Sequence, residues 1–195
     1  MDALLLLGPT GSGKTPLGDW LQARGWAGQR CRHFDFGAHL RAGTGLTRAE
    51  KEIVRELLAV GALLENETFS IAEKILRAFM AGHADELLVL NGLPRHVGQA
   101  RALESIVNVR TVIELQAPAG TILTRLRQNT GGDRTGRVDD DLALVQLKLA
   151  TYAERTRPLL AHYRQRGARV VTATITMNTT PADVVRQIDS AGVGL

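Results

Sequence analysis

Five short apolar runs alternate along the chain with longer stretches whose apolar positions recur at helical spacing. The runs "DALLLLG" (2–8), "RCRHFDF" (30–36), "ELLVLNG" (86–92), "TVIELQA" (111–117) and "ARVVTATI" (168–175) read as β-strands. The stretches 16–24, 47–60, 70–82, 97–105, 119–127 and 141–166 read as helices. Several of them carry start signals. "TRAE" (47–50) and "SIAE" (70–73) have the form of a capping box, in which a hydroxyl and a carboxylate satisfy each other's free backbone N–H groups. "TPAD" (180–183) places a proline at a first helical position with an acid in the first turn. Strands alternating with helices predict an α/β fold with a mainly parallel, doubly wound sheet. No repeat, low-complexity tract or linker divides the 195 residues, so 1–195 is read as one domain.

Charge adds little to this picture. The chain carries a net charge of +4, and arginine supplies 20 of its 24 cationic side chains. A nucleic-acid binder would also be basic, but there is no long Lys/Arg run and no aromatic platform, and arginine forks suit small phosphates equally well. Nucleic acid is therefore not an expected partner. The single cysteine, Cys31, excludes a disulfide framework and a thiolate zinc cluster. Histidines 33, 39, 83, 96 and 162 lack metal-ligand spacing. The apolar start "ALLLL" has no basic leader and runs straight into a glycine loop, and no segment reaches membrane-spanning length. A soluble, cytoplasmic protein with no membrane partner is expected.

The chemistry is concentrated in that glycine loop. Gly8-Pro9-Thr10-Gly11-Ser12-Gly13-Lys14-Thr15 fits G-x-x-x-x-G-K-[ST] between a strand and a helix. Its glycines let the backbone curl so that successive N–H groups point at phosphate oxygens, and the helix that follows adds its positive end. Lys14 would reach the β- and γ-phosphates of ATP, and the Thr15 hydroxyl would ligand Mg²⁺. Pro16 fits a first helical turn but disfavours helical geometry at Thr15.

Four further segments resemble the nucleoside monophosphate kinases, of which adenylate kinase is the type, in the right order over nearly the whole chain. "FDFGAHLRAG" (34–43) is similar to that family's "STGDLLR" stretch, which puts Gly37 in the acceptor site and Arg41 on the acceptor phosphate. "GALLENE" (61–67) resembles the segment whose backbone, at Leu64, flanks the acceptor base. "LVLNGLPRHVGQA" (88–100) resembles "LLDGFPR…Q", giving Gly92 and Arg95 to the acceptor and Gln99 to its base. "TGRVDDD" (135–141) resembles "GRxDD", with Arg137 as a lid arginine and Asp139 beside it. The resemblance implies a P-loop three-layer α/β/α sandwich with a five-stranded parallel sheet in the order 2-3-1-4-5. It also implies a helical acceptor-binding insertion at 37–66 and a short lid at 129–137.

The electrostatic logic does not depend on the family. Two nucleotides with their phosphates end to end gather about six negative charges, which must be neutralised for in-line attack. Lys14, Mg²⁺, Arg41, Arg95, Arg125 and Arg137 would neutralise them, so positioning and electrostatics would carry the reaction. Arg127 reads as part of a solvated face, and Asp140 and Asp141 fit a helix start equally well. Glycines 131, 132 and 136 would permit lid closure.

Four departures bear on activity. Asn91 stands where the family has the aspartate that helps hold Mg²⁺, so it would act only through water and without negative charge. Weaker Mg²⁺ binding, slower turnover or a compensating acid elsewhere is expected. Phe36 and Ala38 alter the acceptor pocket around Gly37. Asn129 and Lys148 stand where arginines are usual, and a lysine lacks the bidentate fork. The expected function is phosphoryl transfer from MgATP to a nucleoside monophosphate, with AMP as the default acceptor. The alternatives are UMP, CMP or another small acceptor on the same fold, or a nucleotide-binding protein with little kinase activity. The sequence carries no signal for oligomeric state.

Overall fold

The structure is a computed structural model that describes residues 1–133, 142–190 and 192. Five strands form one sheet: β1 (Asp2–Leu7), β2 (Cys31–Asp35), β3 (Leu87–Asn91), β4 (Asn108–Gln116) and β5 (Arg169–Thr174). Every pairing is parallel, and the order is β2-β3-β1-β4-β5, as the resemblance implied. β1 shows why its sequence is a continuous apolar run. Ala3, Leu5 and Leu7 join the core on one face, while Leu4 and Leu6 join a second core on the other. A strand covered on both faces has no polar side to alternate with. Each fully buried leucine of this kind contributes about 1.5–3 kcal/mol.

The helices divide between the two faces. α1 (Lys14–Arg24) and the C-terminal helix (Pro181–Ser190) pack Leu17, Leu21, Val184 and Ile188 against Leu4 and Leu6. The opposite face takes Phe69, Ala72 and Leu76 of the helix Phe69–Met80, Ala100 and Leu103 of the helix Val97–Leu103, and Leu159 and Tyr163 of the helix Leu159–Gln165. In chain order the remaining helices let us number them: α2 (Phe36–Ala42), α3 (Arg48–Ala59), α4 (Phe69–Met80), α5 (Val97–Leu103), α6 (Ala119–Gln128), α7 (Leu142–Thr151), α8 (Leu159–Gln165) and α9 (Pro181–Ser190).

The start signals fared differently. At α3 the capping box is complete: Glu50 N donates to Thr47 Oγ1, and Thr47 N donates to Glu50 Oε2. Thr47→Ala is expected to lower stability by about 1 kcal/mol, which thermal unfolding would show as a Tm lower by about 2–4 °C. The proposed box at Ser70–Glu73 does not form. The turn Asn66–Thr68 runs directly into α4, so Ser70 already lies inside the helix and Glu73 pairs with Arg77 one turn on.

The single helix read over 141–166 is also broken. Pro158 has no N–H to continue the ladder. Upstream, Tyr152–Thr156 widens into a π turn closed by Arg157 N donating to Tyr152 O. α8 restarts beyond the proline. α2, which periodicity did not predict, is seven residues long and is started by Asp35, whose Oδ1 accepts from Ala38 N at 2.9 Å.

Candidate active site

β1 is flanked by β3 and β4, so the chain leaves it to opposite sides and its carboxyl end is a topological switch point. Leu6 of β1 and Asp35 of β2 both register with Asn91 of β3, which brings three strand ends level beneath the 8–15 loop. The loop has the geometry its glycines predict. Gly11 and Gly13 adopt φ of +74° and +97°, and a Cβ on Gly11 would stand 2.8 Å from Leu126 Cγ on α6. α1 begins at Lys14, two residues earlier than read, with Thr15 helical despite Pro16. A proline costs little there, because N–H groups of a first turn have no partner inside the helix. The N-cap Gly13 also provides no side-chain cap. Unlike α2 and α3, this helix leaves its first amides to an anion.

The polar side chains of the loop point inward. Lys14 Nζ donates to Gly8 O and Pro9 O, both at 2.8 Å, and so sits inside the curl. Ser12 Oγ is buried without a hydrogen-bond partner among the described residues. Thr15 Oγ1 donates to Asp35 Oδ2 at 2.6 Å and accepts from Asn91 Nδ2 at 3.0 Å.

Arg125, on α6, is only 6% exposed. Its Nη1 donates to Thr176 O at 2.8 Å and Met177 O at 2.9 Å, and its Nε reaches Gly11 O at 3.4 Å. Nη2 lies 3.5 Å from where a Gly13 Cβ would stand. One guanidinium thus ties the phosphate loop to the β5–α9 connection while turning one nitrogen toward the cradle. Burial lowers its pKa, and Asp133 opposes that shift.

A cavity runs from this loop to the α2–α3 region, lined by Lys14, Thr15, Arg41, Leu64, Arg95 and Gln99 among others. Arg95 is half-buried, and desolvation lowers its pKa. Its guanidinium has no hydrogen-bonding partner among the described residues, while its backbone is held on both sides. Arg95 N donates to Gln99 Oε1 at 2.7 Å, and Arg95 O accepts from Thr156 Oγ1 at 2.7 Å. A desolvated cation on a clamped backbone suits an anion. Gln99, 1% exposed, also donates from Nε2 to Leu64 O at 2.7 Å. Its amide therefore links the segment at Leu64 to Arg95 and retains one N–H and one acceptor lone pair. Gly37 and Gly92 line the same cavity.

Some residues emerge only from the structure. Asp35 had been read as part of a strand; it stands at the β2–α2 junction, within hydrogen-bonding distance of Thr15 and Asn91. An acid at a strand's carboxyl end, three residues before a helical N–H, was the available signal. Tyr152 and Thr156 of the π turn also line the cavity, as does Lys148. Burial, reinforced by Glu114, pushes the Tyr152 phenol up to about 12. Asn129 closes α6 in the left-handed region, with φ +47°. Arg137 and Asp139 lie outside the described residues.

A phosphate loop at the switch point of this parallel sheet defines a P-loop kinase fold. No protein-family model matches the chain. Curated relatives do. The adenylate kinase of Parasynechococcus marenigrum (strain WH8102) is 33% identical over 178 residues, covering 86% of this chain and 87% of the relative. That of Prochlorococcus marinus (strain MIT 9303) is 32% identical over 173 residues, covering 84% and 85%. That of Xanthomonas campestris pv. campestris (strain B100) is 31% identical over 175 residues, covering 84% and 86%. The chain belongs to the adenylate kinase family of nucleoside monophosphate kinases, which are phosphotransferases. No helix among the described residues is long and apolar enough to cross a membrane.

Proposed function

We propose that this chain transfers the γ-phosphoryl group of MgATP to AMP, giving two molecules of ADP. The observation that carries this reading is the continuity of one cavity from the phosphate loop to the half-buried Arg95 and the buried Gln99. ATP would lie with its β- and γ-phosphates against the loop amides, Lys14 and Arg125 Nη2. The acceptor phosphate would meet Arg95 and Arg41, and its base would lie near Leu64, taking the remaining N–H and lone pair of Gln99. An acceptor phosphate oxygen then attacks the γ-phosphorus as the β–γ bridging oxygen leaves. The acceptor oxygen is already ionised near neutral pH, so the residues orient and neutralise and need not remove a proton.

The surroundings of Thr15 fit Mg²⁺. They offer hydroxyl and carboxylate oxygens, the hard donors this ion takes. Among the described residues no group of three or more His, Cys, Asp or Glu could hold a metal, which matches an ion bound largely through phosphate and water. When bound, Mg²⁺ would neutralise charge on the β- and γ-phosphates. Arg137 and Asp139 would complete the site from a lid at 129–137, over an acceptor-binding insertion at 37–66.

The test is to incubate the protein with MgATP and separately with AMP, UMP, CMP, GMP and dTMP, following diphosphate formation. AMP is expected to turn over fastest. Preferred conversion of another monophosphate would replace AMP as acceptor, with Phe36 and Ala38 beside Gly37 as the first positions to vary. No conversion of any acceptor, with ATP bound, would overturn the kinase reading.

A further inference from the structure

The cluster beneath Thr15 has an arrangement that helix capping does not by itself explain. Asp35 starts α2 through one oxygen: Oδ1 accepts from Ala38 N at 2.9 Å. A helix cap needs no more than that. The other oxygen, Oδ2, is aimed away from the helix and accepts from both Thr15 Oγ1, at 2.6 Å, and Asn91 Nδ2, at 3.0 Å. The carboxylate is therefore fixed at both ends, and its second oxygen faces the hydroxyl that opens the phosphate-loop helix.

Asn91 can be read from the same geometry. Its amide nitrogen faces two acceptor oxygens, Thr15 Oγ1 and Asp35 Oδ2, both at 3.0 Å, with His33 Nε2 3.4 Å away. His33 Nδ1 in turn meets Asp19 Oδ1 at 2.8 Å. Only the nitrogen end of the amide fits toward Asp35. A carboxylate at 91 would put two like charges about 3 Å apart, which strongly disfavours ionising both. The two positions pair in the register of β2 and β3, so the acid stands on β2 and an amide on β3 holds it in place.

We propose that Asp35 is the carboxylate of the magnesium site and that Asn91 is its positioning residue. The assignment rests on the reading of this cavity as an MgATP site. Thr15 and Asp35 then form the oxygen pair that faces the ion, and Asn91 supplies orientation without charge. Arg41 belongs to the same neighbourhood. A Cβ on Gly37 would stand 3.2 Å from Arg41 Nη1 and 3.3 Å from Asp35 Oδ1, so the acid lies at the border between the donor and acceptor phosphates. Burial tends to raise the Asp35 pKa, but the Thr15 hydroxyl, the Ala38 N–H, His33 and Arg41 together hold it below the usual carboxylate range.

An exchange of amide and acid tests this. Asp35→Asn keeps an oxygen for the helix cap, removes the charge and turns an amide NH₂ toward Thr15 and Asn91, where Oδ2 had accepted. Mn²⁺ binding to the protein–ATP complex would be read by electron paramagnetic resonance, ATP affinity in EDTA by calorimetry, and folding by Tm. Asp35→Asn is expected to weaken Mn²⁺ binding about 10- to 100-fold, with ATP affinity in EDTA close to that of the parent and Tm lowered but the protein folded, since two hydrogen bonds at Oδ2 are lost. The double variant Asp35→Asn/Asn91→Asp, which returns one acid to the pair, is expected to regain most of the loss. Mn²⁺ binding by Asp35→Asn within twofold of the parent would overturn the assignment. A double variant no better than Asp35→Asn would overturn the exchange of roles. Parent protein that binds Mn²⁺ with ATP yet phosphorylates no acceptor would remove the kinase reading and leave Asp35 in place. Parent protein that phosphorylates AMP beside an indifferent Asp35→Asn would remove the Asp35 assignment alone.

Discussion

Lys14→Met is expected to lower kcat for diphosphate formation by about 100- to 1,000-fold, the usual loss when one preorganised charge contact is removed from a transition state. The ammonium already sits inside the loop, 2.8 Å from both Gly8 O and Pro9 O. In the proposed reaction, negative charge builds on the oxygens it would touch as the β–γ bond breaks, and methionine keeps the stem while deleting the charge. ATP affinity should fall less than kcat, because the loop amides and the uncapped start of α1 remain. Two controls accompany the rate: Tm, since Lys14 also satisfies two carbonyls, and the ATP dissociation constant. A kcat within tenfold of the parent, with Tm unchanged, would remove Lys14 from the chemistry.

Much of the fold was legible because its signals are local. A β1 buried on both faces must be apolar throughout, and 3–7 is. The capping box at Thr47–Glu50 formed as read. The failures have physical causes. Ser70–Glu73 has the same pattern, but its helix was already under way from the preceding turn. α2 is too short to show periodicity, and its cap, Asp35, looked like strand. The N-terminal end of β4 sets the polar Asn108 and Arg110 on either side of Val109 and pairs with the first residues of β1, so apolarity placed its start three residues late.

For the site, the phosphate loop could be read from spacing alone. What a sequence does not reveal is how side chains from distant segments share partners. Asn91 looked like a lost acid until β2 set Asp35 beside it. Gln99 looked like a base contact, whereas its amide first joins Leu64 to Arg95, which sit 35 and 4 residues from it in the chain. Both facts depend on strand register and helix docking, which come from the whole fold.

Arg125 shows the same limit, and its replacement is expected to have the largest effect on stability. Read from the sequence it was one more phosphate-facing cation. In the structure its Nη1 meets the carbonyls of Thr176 and Met177 while Nε reaches back to Gly11. Arg125→Ala would leave these part-buried carbonyls without donors, at a cost of about 1–3 kcal/mol, and would open space beneath the loop. Tm should fall by about 3–10 °C. ATP affinity should fall as well, because the loop loses its tie to the β5–α9 connection and Nη2 no longer faces the cradle. Arg125→Lys separates the two contributions. Lysine keeps the charge but, with a single nitrogen, cannot span Gly11 O, Thr176 O and Met177 O together. If Arg125 mainly braces the loop, Lys should resemble Ala in Tm. If it acts mainly as charge, Lys should restore ATP affinity and turnover close to the parent. The three backbone carbonyls favour the first outcome, and full rescue of Tm by lysine would contradict it.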